Sequence, residues 1–279
     1  MTDGAARPLD RGGHIELVVT DLDGTLWERP EKIPRRTLAA VAELERRGVP
    51  LLVATGRRVA STRDPLAAVS LAPPAVVLNG GLGVDLASGE RFHRGGFATV
   101  DASGVLAAFL EWGIEPCVYV DHDARSVWVG DAPSTHAEHL AGFGGDVGVG
   151  LLERVVVDEH VLAFAVLGIA EDQAEGVGRA LAAIATPHVS PDRQYGGHTI
   201  TVAPIGLSKW DGVEAYCASS GIDPRAVLAI GDGPNDVELL DAALVAVVPE
   251  DAHETARAVA DHVVGRAADG GWAELLELL

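Results

Sequence analysis

The sequence predicts an α/β protein: a doubly wound, mainly parallel sheet into which a second, α+β domain is inserted. Three observations predict it. Short apolar runs such as Leu17–Val18–Val19 are continuous rather than alternating, which suits strands covered on both faces. Helical patterns separate such runs at both ends of the chain. Between about Gly83 and Ala203 the rhythm changes to shorter, more alternating strands with helices in groups.

The first strand ends in "ELVVTDLDGTLW", Glu16 to Trp27, which drives straight into two acids one residue apart, Asp21 and Asp23. Next, "IPRRTLAAVAELERRG" has Pro34 near its start, apolar Leu38, Val41, Ala42 and Leu44, and Gly48 just past its end, and reads as a helix. "VPLLVATG" gives a second buried strand, "VASTRDPLAAVS" a short helix and "PAVVLNGG" a third strand, for which a right-handed βαβαβ connection is natural. In the middle, "PCVYVD", "SVWVG" and "HTITVAP" read as strands, with helical patterns at 101–112, 134–142 and 171–184. A largely antiparallel sheet follows from that pattern. From "PRAVLAIGDGPND" the first rhythm resumes, with strands at 227–230 and 244–248 and helices near 236–242, 252–260 and 271–279. The expected division is a core of 1–82 and 204–279 and an insertion of 83–203. The glycine-bearing "NGGLGVD" and "APIGLS" stretches would be paired linkers suited to hinge motion.

With 279 residues, 48% of them apolar, the chain can fill one large or two ordinary cores. A net charge of −20 argues against nucleic acid or an anionic membrane as a partner. Any anionic ligand must be captured locally. Cys117 and Cys217 are far apart and lack metal-ligand spacing, so they read as reduced core thiols. No apolar export segment opens the chain and no run of roughly 18 apolar residues occurs, so a cytoplasmic location is expected. No apolar stripe on a polar face stands out as an oligomer interface.

Candidate chemistry gathers where strands end. If Asp21 and Asp23 continue the strand, they project to one side, and two such carboxylates need a cation or a shared proton between them. A turn in which Asp21 caps the backbone and Asp23–Gly24 reverses the chain is the alternative. The carboxyl edge of an open α/β sheet is also where ligands bind. At the end of the second strand, Thr55 and Gly56 offer a hydroxyl and unhindered N–H groups at a predicted helix entrance, suited to an anion. After Ile230, a glycine-bounded loop supplies Asp232, Asn235 and Asp236. Hard oxygen ligands in such a cluster suit Mg2+. Of 21 basic residues only Lys32 and Lys209 are lysines. Lys209, at a predicted helix start, could neutralise a phosphoryl oxygen or a carboxylate, or could simply be a solvated lysine.

"DLDGT" after a buried strand, "TGR" after the second, a single upstream lysine and "GDGPND" together resemble the haloacid dehalogenase superfamily of phosphohydrolases. The large insertion after the second motif resembles its Cof-type branch, whose α+β cap lies between the second and third motifs on a Rossmann-like core. That resemblance implies a magnesium-dependent phosphatase acting on a small phosphorylated metabolite such as a sugar phosphate. Asp21 would be the nucleophile, giving an aspartyl phosphate, and Asp23 the general acid and base. Magnesium would sit on the Asp21 carboxylate, the Asp23 carbonyl and the Asp232 carboxylate. Thr55, Gly56, Lys209 and Asn235 would hold the phosphoryl group, with Asp236 steadying Lys209 or a metal-bound water. A phosphomutase on the same scaffold is the alternative enzyme. A phosphoryl-accepting receiver domain is the alternative outside enzymes, although receivers are compact and here Asp21 and Lys209 lie 188 positions apart. Trp27, Arg193 and His198 are candidates to contact the leaving group, but nothing in the sequence fixes their direction.

Overall fold

The computed structural model describes residues 14–28, 32–192 and 194–279. In chain order the elements begin β1 (Leu17–Thr20), α1 (Arg35–Arg47), β2 (Leu51–Ala54), α2 (Val59–Ala67), β3 (Pro74–Val77), β4 (Leu82–Asp85) and β5 (Arg91–Arg94). They continue α3 (Thr99–Glu111), β6 (Cys117–Val120), β7 (Val127–Val129), α4 (Ala137–Ala141), β8 (Val147–Val149), α5 (Leu152–Asp158) and β9 (Val161–Ile169). After α6 (Glu171–Leu181), β10 (Thr186–Pro191) and β11 (His198–Ala203) come α7 (Lys209–Ser220), β12 (Val227–Ile230), α8 (Val237–Ala242), β13 (Val245–Pro249), α9 (Glu254–Arg257) and β14 (His262–Val264).

The chain divides into two units, one of residues 1–93 with 208–279 and one of 94–207. The first is built on an eight-stranded sheet in the order β14-β13-β12-β1-β2-β3-β4-β5. Pairing is parallel from β14 through β3, and β4 runs antiparallel to β3. The sheet grows away from β1 in both directions, to β2 on one side and to β12 on the other, so β1 marks its switch point. Thr20 is in register with Ile230 on one neighbour and with Val53 on the other, which brings three carboxyl ends to one level. A ligand crevice belongs there.

Both faces of this sheet are covered, as the continuous apolar runs require. Leu17 and Val19 share a cluster with Leu52, Val213, Cys217 and Leu239, while the alternate residue Val18 is equally buried on the other face. Each such side chain contributes about 1.5–3 kcal/mol relative to exposure. On α1 the buried face is Thr37, Ala40, Val41 and Leu44, and Ala42 is exposed instead. Gly48, at φ 73, ends the helix in the left-handed conformation that glycine adopts without a Cβ penalty.

The second unit carries a six-stranded sheet in the order β10-β11-β9-β6-β7-β8, antiparallel except for the β7–β8 pair. Phe97, just before α3, and Phe109 on it both meet Phe164 of β9, the first edge-on with ring centroids 5.4 Å apart. Three expectations change. Residues 83–93, expected in the insertion, belong to the first unit, where "LGVD" pairs with β3. The nine-residue β9 was not anticipated, because an unbroken apolar run does not tell strand from helix. The helices expected at 252–260 and 271–279 contract to α9 and to a 3₁₀ segment, Gly271–Glu277. Among the described residues no helix is long and apolar enough to cross a membrane.

Candidate active site

β1 ends at Thr20, and Asp21 is the first residue beyond it, anchored by its N–H to the Ile230 carbonyl at 2.9 Å. Strand alternation stops there. Leu26 and Trp27 both donate backbone N–H groups to the Leu22 carbonyl, so residues 22–27 form a tight turn and the two acids diverge in their partners. Asp21 is buried and accepts from Lys209 Nζ at 2.7 Å through Oδ1. Asp23 is half-buried and accepts from Arg57, Nε to Oδ2 at 2.6 Å and Nη2 to Oδ1 at 2.7 Å, and from Trp27 Nε1 at 3.2 Å. The Arg57 guanidinium also lies 5.2 Å from the centroid of the Trp27 ring.

Lys209 opens α7, where the Ser208 side chain and Asp211 form a capping box that fixes the helix start. Its ammonium is buried and bridges Asp21 to Asp236 Oδ1 at 2.6 Å. The other Asp236 oxygen accepts the N–H groups of Asp232 and Gly233 at 3.2 and 2.9 Å, which folds the loop after β12 around itself. Asp232 in turn accepts from Thr25 Oγ1 at 3.0 Å, tying that loop to the one after β1. Gly24, at φ +80, is needed at this junction because a Cβ would stand 2.5 Å from Asp232 Oδ2.

Charge in this cluster does not balance. Burial works against the charged form of Lys209, but Asp21 and Asp236 outweigh it and raise its pKa. Asp21 is held well above the usual carboxylate range, first by burial, with Lys209 opposing and Asp236 and Asp232 adding to the rise. Asp232 is pushed up to about 7, again first by burial and then by Asp236. Three carboxylates with one ammonium lack positive charge, and Asp21, Asp232 and Asp236 each place an oxygen within 4.8 Å of the others. This donor set fits a divalent, oxygen-loving cation. Asp236 is the third carboxylate of that set, and the side chain of Asp23 is not in it.

A second group lies beside the first. Thr55 is buried, with its N–H on Val76 O at 2.8 Å and its hydroxyl accepting from Arg57 N at 3.2 Å. Gly56 is exposed and precedes the first residue of α2 by three positions, so it lies outside that helix. Asn235 is half-buried and donates through Nδ2 to Asn79 Oδ1 at 2.9 Å. Of the leaving-group candidates, Trp27 is fully buried and serves Asp23. His198 is half-buried on β11, 3.7 Å from Glu171, and Arg193 lies outside the described residues.

Arg57, Asn79, Thr25 and Trp272 were not foreseen as parts of the site. Arg57 carried a signal, since "TGR" was one of the quoted motifs. Trp272 donates through Nε1 to Thr20 Oγ1 at 3.0 Å, and that hydroxyl donates to the Asp21 carbonyl at 2.7 Å, a relay spanning 252 positions that no local pattern encodes.

Comparison with known proteins identifies the family and the fold. The family model for haloacid dehalogenase-like hydrolases matches residues 18–276. A phosphoglycolate phosphatase of Methanopyrus kandleri is 26% identical over 275 residues, covering 94% of this chain and 96% of that protein. Among solved structures, a phosphatase of the same superfamily from Bacteroides thetaiotaomicron aligns with a TM-score of 0.76 at 21% identity, covering 99% of this chain and 98% of the other. A sugar phosphatase of subclass IIB aligns at 0.73 and 22% identity, covering 94% and 98%. With nearly its whole length matched and an aspartate–lysine–aspartate bridge at the switch point of its sheet, the chain belongs to the haloacid dehalogenase-like hydrolases.

Proposed function

We propose that this protein is a magnesium-dependent phosphomonoester hydrolase that acts on a small phosphorylated metabolite, with sugar phosphates as the first candidates, through an aspartyl phosphate on Asp21. The observation that carries the reading is the buried Lys209 ammonium held between Asp21 and Asp236 at the level where β1 and β12 end. Support for the substrate class comes from the sugar phosphatase with the same fold and from the phosphoglycolate phosphatase of similar sequence.

In the first step an Asp21 carboxylate oxygen forms a bond to phosphorus while the ester P–O bond breaks, and Asp23 delivers a proton to the departing alkoxide. Water then attacks the phosphoryl group, Asp23 takes its proton, and phosphate and the free Asp21 carboxylate are regenerated. Lys209 offsets the charge gathering on Asp21 and the phosphoryl oxygens, while Thr55, the Gly56 N–H and Asn235 hold those oxygens. Asp21, Asp232 and the Asp23 carbonyl would hold magnesium, which would supply the positive charge that the buried carboxylates lack. The acid role needs a proton on a carboxyl oxygen that Arg57 or Trp27 now donates to, so one of those bonds opens at that step.

A phosphate-release screen over phosphosugars, phosphoglycolate, nucleotides and phosphorylated cofactors, with and without magnesium, tests this. Many phosphates released per chain, with a phosphosugar foremost and only when magnesium is present, is the expected result. Stoichiometric phosphorylation without turnover, or full activity after exhaustive chelation, would overturn it.

A further inference from the structure

Backbone strain marks a residue that the roles above leave unassigned. β3 ends at Val77, and the next two residues, Leu78 and Asn79, hold φ of 52 and 53. Non-glycine residues are uncommon in this left-handed region, leucine more so than asparagine, and among the described residues only Ser70 shares it. Such strain persists where the surroundings over-determine it.

What holds it here is the loop after β2. Leu78 N–H donates to Arg57 O at 2.9 Å and Asn79 N–H to Thr55 O at 3.1 Å, so the strained turn is fastened to both sides of Gly56. The Asn79 carboxamide lies against Gly56 itself, where a Cβ would come within 3.1 Å of Oδ1 and 3.4 Å of Nδ2. Its Oδ1 also accepts from Asn235 Nδ2 at 2.9 Å, across 156 positions of sequence. One side chain therefore touches the two loops assigned to the phosphoryl group.

We propose that Asn79 is a positioning residue for phosphoryl binding: its carboxamide locks Asn235 against the Gly56 loop so that both present donors to one tetrahedral oxyanion. The proposal rests on the reading of Thr55, Gly56 and Asn235 given above. By accepting one Asn235 N–H, Asn79 leaves the other available for an incoming oxygen, and it fixes the Asn235 amide against flipping its acceptor toward that oxygen. The left-handed backbone is what brings so short a side chain over Gly56.

Glycine at this position separates the proposal from a purely structural turn. Asn79→Gly keeps the left-handed backbone at no steric cost, so with the Asn235 hydrogen bond lost its Tm should stay within about 4 °C of the parent's. Binding of inorganic phosphate, measured by calorimetry with magnesium present, should nonetheless weaken by about tenfold, the size of one hydrogen bond to a charged group. Asn79→Asp retains the acceptor for Asn235 but sets a negative charge beside the oxyanion, and should weaken phosphate binding further. Phosphate affinity within about twofold of the parent in both variants would overturn the inference. A parent that releases no phosphate from any ester yet binds phosphate defeats the hydrolase reading alone, because the variant-to-parent ratio still decides Asn79. A parent that does not bind phosphate defeats both.

Discussion

Lys209 and Asp21 show how one contact can serve both stability and chemistry. An ammonium with no exposure to water lies between two buried carboxylates, where each partner relieves the desolvation of the other. Replacing Asp21 by asparagine keeps the volume and removes a buried charge held at a raised pKa, so the fold should survive with unchanged or higher Tm. Turnover should fall by about a thousandfold or more, because an amide is no nucleophile. Activity within about tenfold of the parent would remove Asp21 from that role. The residues of this cluster were legible in the sequence because acids follow the apolar strand runs and one of only two lysines stands at a predicted helix start. Asn79 was not, since "NGG" reads as an ordinary turn and its meaning lies in a φ value and a distant partner.

At the level of elements, sequence served well where burial is complete. "LVV", "LLVA" and "VLAI" became β1, β2 and β12 because a continuous apolar run between turn signals fits a strand covered on both faces. It served less well where tertiary contacts decide, as in the C-terminal segment, which packs as a 3₁₀ run against α1 rather than as the expected helix. That segment delivers Trp272 to Thr20 and so holds the end of β1 from beneath. Thr20→Val preserves shape but leaves the Trp272 indole N–H buried without its acceptor and the Asp21 carbonyl without its donor. A loss of about 1–3 kcal/mol in urea unfolding is expected, with an unchanged m-value. No measurable loss would mean that the relay adds nothing to the anchoring of β1.

For the whole molecule, the charge deficit in the site predicts an unusual response to pH. The Asp232 carboxyl titrates near 3.8 when unfolded but about 7 when folded, and Asp21 shifts in the same direction. Between those values the folded protein holds protons that the unfolded chain has lost. Their stabilising effect is complete below the unfolded pKa and disappears as pH rises through about 7. Metal-free protein should therefore lose Tm between about pH 5 and pH 7.5, and magnesium should raise Tm more at pH 8 than at pH 5, where it must displace protons. Equal magnesium shifts at both pH values would contradict this account of the cluster.

The place of β1 between β2 and β12 also bears on the birth of the protein. As the nascent polypeptide leaves the ribosome, β1 can zip to β2 almost at once, but its opposite edge waits for residue 227. At about 5–20 residues per second that delay is roughly 10–40 s. Through it an apolar ribbon stays bare on one side, an open invitation to stray pairing and a natural client for a chaperone.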